Sequence, residues 1–226
     1  MTEYTRDNPS PRFKQLGELY QQVHEQGLKN GASADKVFGG GSLLDHVTAV
    51  EELARRTTSK SVLDYGCGKG MVYQKTNFQL PDGRTIPSVK EYWNVDTIRL
   101  YDPGVEEYAE RPNSTFDGVV STDVLEHIPE EDIDWVLDEC FGYATKFVYM
   151  NIASYPAKKT LPNGWNAHVT VQPPSWWRER IQRAAAKWKG RAYVFDVSEK
   201  RTGITRGITR LLTGSRLKLT RIEMWR

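Results

Sequence analysis

Three glycines at alternate positions, Gly66, Gly68 and Gly70, follow an apolar run that ends in an acid, in the stretch SVLDYGCGKG at residues 61–70. Such a turn suits a ligand lying flat against the backbone, because glycine reaches positive φ at low cost and has no Cβ to hold the ligand away. In sheets of strands alternating with helices, ligands sit outside the carboxyl ends of the strands. Free N–H groups opening a following helix would there attract a carboxylate or phosphate. The spacing is not that of a phosphate loop, since Lys69 falls in the wrong place, nor the G-x-G-x-x-G of dinucleotide sites. Asp64, Tyr65 and Cys67 belong to the same stretch; Asp102 precedes Pro103; Thr122, Asp123, Val124 and His127 share STDVLEHIP; His168 lies in NGWNAHVTVQPP. Histidines exchange protons near neutral pH, so His127 and His168 are the candidate acid–base residues. Each has a plainer alternative: Asp102 as a turn aspartate, His127 as a helix-packing residue, His168 as a solvated loop residue. No metal site is assigned from the sequence.

Bringing these residues to one edge takes strands and helices in alternation. Ser10 and Pro11 read as the start of a helix, with Phe13, Leu16, Tyr20 and Val23 at helical spacing. Residues 27–41 read as a loop, and Ser42 as the cap of a second helix carrying Leu43, Val47, Val50 and Leu53. Residues 61–65, 97–103, 116–124 and 146–152 read as strands, as do RAYVFDV and LKLTRIEMW near the end. MVYQ after the glycines continues as a helix, and residues 77–88, with two prolines, form a loop. Ile133, Val136, Leu137, Cys140 and Phe141 define a further helix, with Glu130, Glu131 and Asp132 in its first turn, where the dipole favours anions. Trp177, Ile181, Ala184, Ala185 and Trp188 mark the last helix. The expected fold is α/β, doubly wound, with a mostly parallel sheet and an antiparallel edge strand, since no helix separates the last two strands. Residues 1–41 form a helical cap and 42–226 the main domain.

The bulk numbers fit one ordinary domain. The chain has 226 residues, 38% hydrophobic, with a mean hydropathy of −0.60 and 11 Tyr, 7 Trp and 7 Phe, a composition that argues against disorder. No apolar run approaches a membrane span, and the first residues lack a signal-peptide pattern. The two cysteines, Cys67 and Cys140, fall in segments that read as buried, so a reducing, cytoplasmic setting is expected. Net charge is +2, which points to no particular polyanion, although residues 201–226 hold seven Lys/Arg against one acid, Glu223. A tandem GITRGITR within that segment is too short for a repeat architecture.

VLDYGCGKG closely resembles the first motif, D/E-x-G-x-G-x-G after a strand, of the class I S-adenosylmethionine-dependent methyltransferases. The likeness extends to Asp102, where that family places an acid on both ribose hydroxyls, and to FDGVVSTDVLEHIP, which resembles its fourth-strand motif. It implies a Rossmann-like single domain and S-adenosyl-L-methionine as cofactor, leaving as S-adenosyl-L-homocysteine. It also implies cofactor contacts from Asp64, Tyr65, Gly66, Cys67, Gly68, Gly70, Asp102, Pro103, Thr122, Asp123 and Val124, within a lining that runs from Ser121 to Glu126. Only 14 positions separate Asp102 from Phe116, which leaves little room for the family's third strand and its adenine-contacting acid. Methyl transfer is an in-line displacement in which the protein mainly places the acceptor, and a base is needed only where the acceptor arrives protonated. The expected acceptor is a small molecule or sugar-like metabolite, methylated on O or N. The rivals are an RNA or DNA methyltransferase using the basic C-terminal segment, and a non-catalytic cofactor-binding or scaffolding protein.

Overall fold

The computed structural model describes residues 4–27, 38–200 and 217–225. GITRGITR, the middle of the loop at 27–41 and most of the basic C-terminal segment lie outside the described residues. Six strands form the main sheet in the order β4-β1-β5-β6-β7-β8: β4 (Thr97–Tyr101), β1 (Ser61–Tyr65), β5 (Phe116–Thr122), β6 (Ala144–Ala153), β7 (Ala192–Lys200) and β8 (Leu217–Met224). All pair in parallel except β7 with β8, which is the expected antiparallel edge. Strands buried on both faces explain the continuous apolar runs. Leu63 and Tyr65 pack on one side with α4 (Ile133–Tyr143) and α5 (Pro174–Lys187). Val62 and Val120 face the other side, towards α2 (Val47–Arg56) and α3 (Val89–Trp93). The Trp93 indole donates to the Val47 carbonyl at 2.9 Å and ties α3 to α2.

Three local expectations are corrected. Ser42 caps no helix: it lies inside a 3-10 turn, Gly41–Asp45, and α2 begins after His46. Its hydroxyl instead meets that of Thr122 at 3.2 Å. MVYQ is a run of turns, because the Met71 N–H goes to the Gly39 carbonyl at 3.2 Å and the Tyr73 hydroxyl to Asp64 at 2.8 Å, pulling the segment off any helical course. Glu130 and Glu131 precede α4 rather than forming its first turn. The loop read at 77–88 contains a small hairpin, β2 (Phe78–Gln79) with β3 (Thr85–Ile86). Between β4 and β5 there is only a 3-10 turn, Glu106–Tyr108, so β4 is the sheet edge and the third strand is missing, as the spacing implied.

The helix α1 (Pro11–Gln26) lies over the strand ends. Ser10 caps it, accepting from the Phe13 N–H at 3.0 Å, with proline in the first turn. Leu16, Val23, Leu161 and Ala167 form a separate apolar cluster beneath it. Three anchors hold it down. Arg6 reaches the Tyr101 hydroxyl and pairs with Glu139 at 3.3 Å. Tyr20 donates to the Ala167 carbonyl at 2.7 Å. Asp132, fully buried, accepts from the Ser10 hydroxyl, from the Ser10 N–H at 3.0 Å and from the Trp135 indole at 2.8 Å. No helix among the described residues is long and apolar enough to cross a membrane.

Asp132→Ala leaves two buried donors of Ser10 and the half-buried Trp135 indole without an acceptor. It is expected to cost about 2–4 kcal/mol, read as a lower urea midpoint, with earlier protease cleavage within α1; an unchanged midpoint would show that the anchor carries no stability.

Candidate active site

A cavity of about 670 Å³ opens at the carboxyl ends of β1, β4 and β5. Its floor is Gly66 and Gly68, then Asp102 and Pro103 after β4, then Thr122 at the end of β5 with Asp123 and Val124 following it. Leu16, Gly17, Tyr20 and His24 of α1 roof it, and residues 38–42 close one side. Tyr155, Lys158 and Lys159 stand at the far end with His127 and His168.

What lies against the glycine turn is the protein's own backbone. The Lys69 N–H donates to the Phe38 carbonyl at 2.9 Å, and a Cβ on Gly68 would fall inside that same carbonyl oxygen. A Cβ on Gly40 would stand 2.7 Å from the Cys67 carbonyl. Gly66 is closed to a side chain by Val124. The N–H groups of Gly66 and Cys67 go to the Tyr101 carbonyl, that of Gly68 to Asp102 at 2.8 Å, and that of Gly70 to Cys67. The expectation of free N–H groups for an anion is therefore corrected: each donor from Gly66 to Met71 is used internally.

Asp102 is held by two backbone donors, Gly68 at 2.8 Å and Gly104 at 2.9 Å, one on each carboxylate oxygen. Each oxygen keeps a further lone pair for a ligand. Tyr65 lines the cavity and donates to Glu139 at 2.7 Å. Asp64, Cys67 and Gly70 do not line it. Asp64 is buried, accepts from Tyr73, leaves its Oδ1 unpartnered, and is pushed up to about 7 by burial. Burial likewise raises the Cys67 thiol, whose Sγ turns onto the Gly68 carbonyl. Gly70 makes room for Leu100 and Tyr108. In the stretch from Ser121 to Glu126, Ser121 binds the Tyr65 carbonyl at 2.7 Å and Leu125 enters the core, so only Thr122, Asp123 and Val124 face the cavity. Asp123 has a left-handed backbone, φ 53, held by Asn151, whose carbonyl accepts its N–H at 3.1 Å. Such strain persists where surroundings over-determine it.

The two candidate histidines meet, with ring centroids 5.0 Å apart and planes at 85°. His127 Nδ1 lies 2.8 Å from the Ala167 carbonyl and 2.8 Å from the Tyr20 hydroxyl. His168 Nδ1 lies 2.6 Å from the Tyr155 carbonyl. Carbonyl partners place the hydrogen on Nδ1 of each ring and leave Nε2 as a lone pair. Burial, with His168 adding, lowers His127 to about 4, and burial lowers His168 as well. Beneath them Glu126 is fully buried; its Oε1 accepts from the Ala153 N–H at 3.0 Å and its Oε2 has no partner. Burial pushes it up to about 8, with Asp123 adding. Its carbonyl takes the N–H groups of Val169 at 2.8 Å and Thr170 at 3.0 Å, which draws the 153–173 loop in and sets His168 beside His127. Sequence reasoning placed Glu126 only as cofactor lining and gave Tyr20 no site role. Their one signal is adjacency to His127 and a place on the capping helix. Trp177 is core, and Trp165 lies outside the cavity under Arg12.

The Asp64 environment has a pH signature. The folded chain holds that proton to about pH 7 and the unfolded chain releases it near its ordinary value of 3.8. Its contribution is therefore full below about pH 4, falls by on the order of 4 kcal/mol as pH rises to about 7, and is level above that. Urea midpoints for Asp64→Asn should fall less across that window than those of the parent chain; parallel curves would place the cost elsewhere.

Residues 43–192 match the family described as a methyltransferase domain. No curated protein gives a significant match. The matched span runs from the turn beside the cavity, through both glycine and His127 segments, to the first residue of β7, and on that match the chain belongs to the methyltransferase-domain family, of the class I S-adenosylmethionine-dependent type.

Proposed function

We propose that this cavity takes S-adenosylmethionine across its floor and a small-molecule or sugar-like acceptor at its far end, for methylation on oxygen or nitrogen. The observation that carries the reading is the enclosure: α1 and residues 38–42 roof the floor formed by Asp102 and Asp123, and the only polar far wall holds His127 and His168 among the described residues. A volume of about 670 Å³ lies within the usual range of small-ligand sites. A roofed cavity favours a small acceptor over a polymer laid across the surface.

The residues fit the cofactor. Asp102, fixed by two N–H groups, has the lone pairs to accept from vicinal ribose hydroxyls. Asp123 and the Thr122–Ser42 hydroxyl pair line the floor beside it and would hold the α-amino end. The rings of Tyr20 and Phe38, 5.7 Å apart, border the path between floor and far wall, where aromatic faces favour a cation. When bound, the cofactor supplies the electrophilic methyl group. The far wall receives the acceptor: Nε2 of His127 or His168 accepts a hydrogen bond from its O–H or N–H, and Lys158 and Lys159 favour an acceptor carrying negative charge. His127, lowered to about 4, orients an acceptor better than it removes a strongly held proton. For the nucleic-acid alternative, the described cations of β8 offer little, since Arg221 is bound to Asp196 at 2.7 Å and Lys218 lies 3.8 Å from Glu199.

Calorimetric titration of S-adenosylmethionine and S-adenosylhomocysteine should give one site per chain with micromolar affinity, weakened by about tenfold or more in Asp102→Asn. Equal affinity in both proteins, or no binding to the intact chain, would overturn this assignment.

A further inference from the structure

We propose that Glu126, His127 and His168 form a binding site for a divalent transition-metal ion of the zinc class, at the acceptor end of the cavity. One carboxylate oxygen of Glu126 and one nitrogen from each ring lie within 4.8 Å of one another. Bonds of about 2.0–2.2 Å set ligand atoms roughly 3.3 Å apart, so small ring rotations close the set onto an ion.

Three independent features suit an ion better than a packing role. First, the Oε2 of Glu126 is fully buried without a partner, although buried polar atoms are nearly always paired. Second, both rings give Nδ1 to a backbone carbonyl, Ala167 for His127 and Tyr155 for His168. That outer bond is the one that fixes ligating histidines with Nε2 turned to the metal. Third, Glu126 anchors the loop that carries His168, through the Val169 and Thr170 N–H groups, so one residue both offers an oxygen and places the distant nitrogen. Two imidazoles and a carboxylate are a borderline donor set, suited to Zn²⁺ rather than to Mg²⁺ or Ca²⁺. Asp123 nearby adds negative charge. Lys159 and Lys200 oppose a cation, but both are exposed and screened by solvent.

Three protein ligands leave a position open, and His127 and His168 both line the cavity. Resting on the methyltransferase reading, that position suits an acceptor hydroxyl, which the ion rather than the Nε2 atoms would then hold. The ion lowers the hydroxyl's pKa and its proton leaves to solvent. The oxygen–methyl bond then forms as the sulfur–methyl bond breaks, the electron pair returning to sulfur as a neutral thioether.

The full chain, stripped with chelator and free of cofactor and acceptor, is titrated with Zn²⁺ by calorimetry and with Co²⁺ by visible absorption. The expected result is one ion per chain with a ligand-field band, weakened about 100-fold in His168→Ala and in Glu126→Gln, which keeps an acceptor for Ala153. Asp102→Asn, which should bind the cofactor more weakly, should bind the ion unchanged, so the two assignments fail separately. No saturable one-to-one binding, or equal binding by the intact chain and both site variants, would overturn the metal site.

Discussion

Peptide packs on peptide where residues 38–41 cross the turn at residues 66–71, and the rest of the site depends on that contact. The Phe38 carbonyl occupies the space of a side chain at position 68, and Gly40 has no room for one against Cys67. Phe38 itself adopts a left-handed backbone, φ 51, to enter this register. The pairing uses donors that a bound anion would otherwise take, and so turns a phosphate-type cradle into a sealed wall. With that wall in place, the carboxylates that face the cavity floor are side chains, Asp102 on one side and Asp123 on the other.

Buried acids are handled in two ways. Asp132 meets three donors and serves only to dock α1. Asp64 and Glu126 each keep one oxygen without a partner, and burial favours the protonated form of both. A carboxylate that is fully paired belongs to the scaffold, whereas an unpaired one stores unfavourable free energy that a ligand or ion can relieve. Asp64 does not line the cavity, whereas the Glu126 carboxylate has an oxygen within 4.8 Å of nitrogens of two cavity histidines.

Much of the scaffold was legible in the sequence, for definite reasons. β1 and β6 are apolar on both faces, so their runs are unbroken, and Ser10 with Pro11 announces α1. The 14 positions between Asp102 and Phe116 foretold the missing third strand. What failed was local structure decided by distant backbone: MVYQ is not helical because Gly39 and Asp64 claim its groups, and Ser42 turns to Thr122. A place around the cavity was legible at Asp102, Asp123 and the two histidines. Asp64, Cys67 and Gly70 border the turn, as their motif spacing says, but do not line the cavity, and spacing alone does not tell which side they face. The Glu126 contact with the loop carrying His168 has no one-dimensional trace.

The anchoring of α1 also bears on synthesis. Ser10 finds Asp132 across 122 residues of chain, and Tyr20 finds Ala167 across 147. A ribosome delivers this helix well before its docking partners Asp132 and Ala167, which follow β1, β4 and β5. Its apolar face waits uncovered until those partners are made, and closing such long loops is slow. The roof is thus made well before the residues that seat it, and its docking depends on chain that follows by more than a hundred positions.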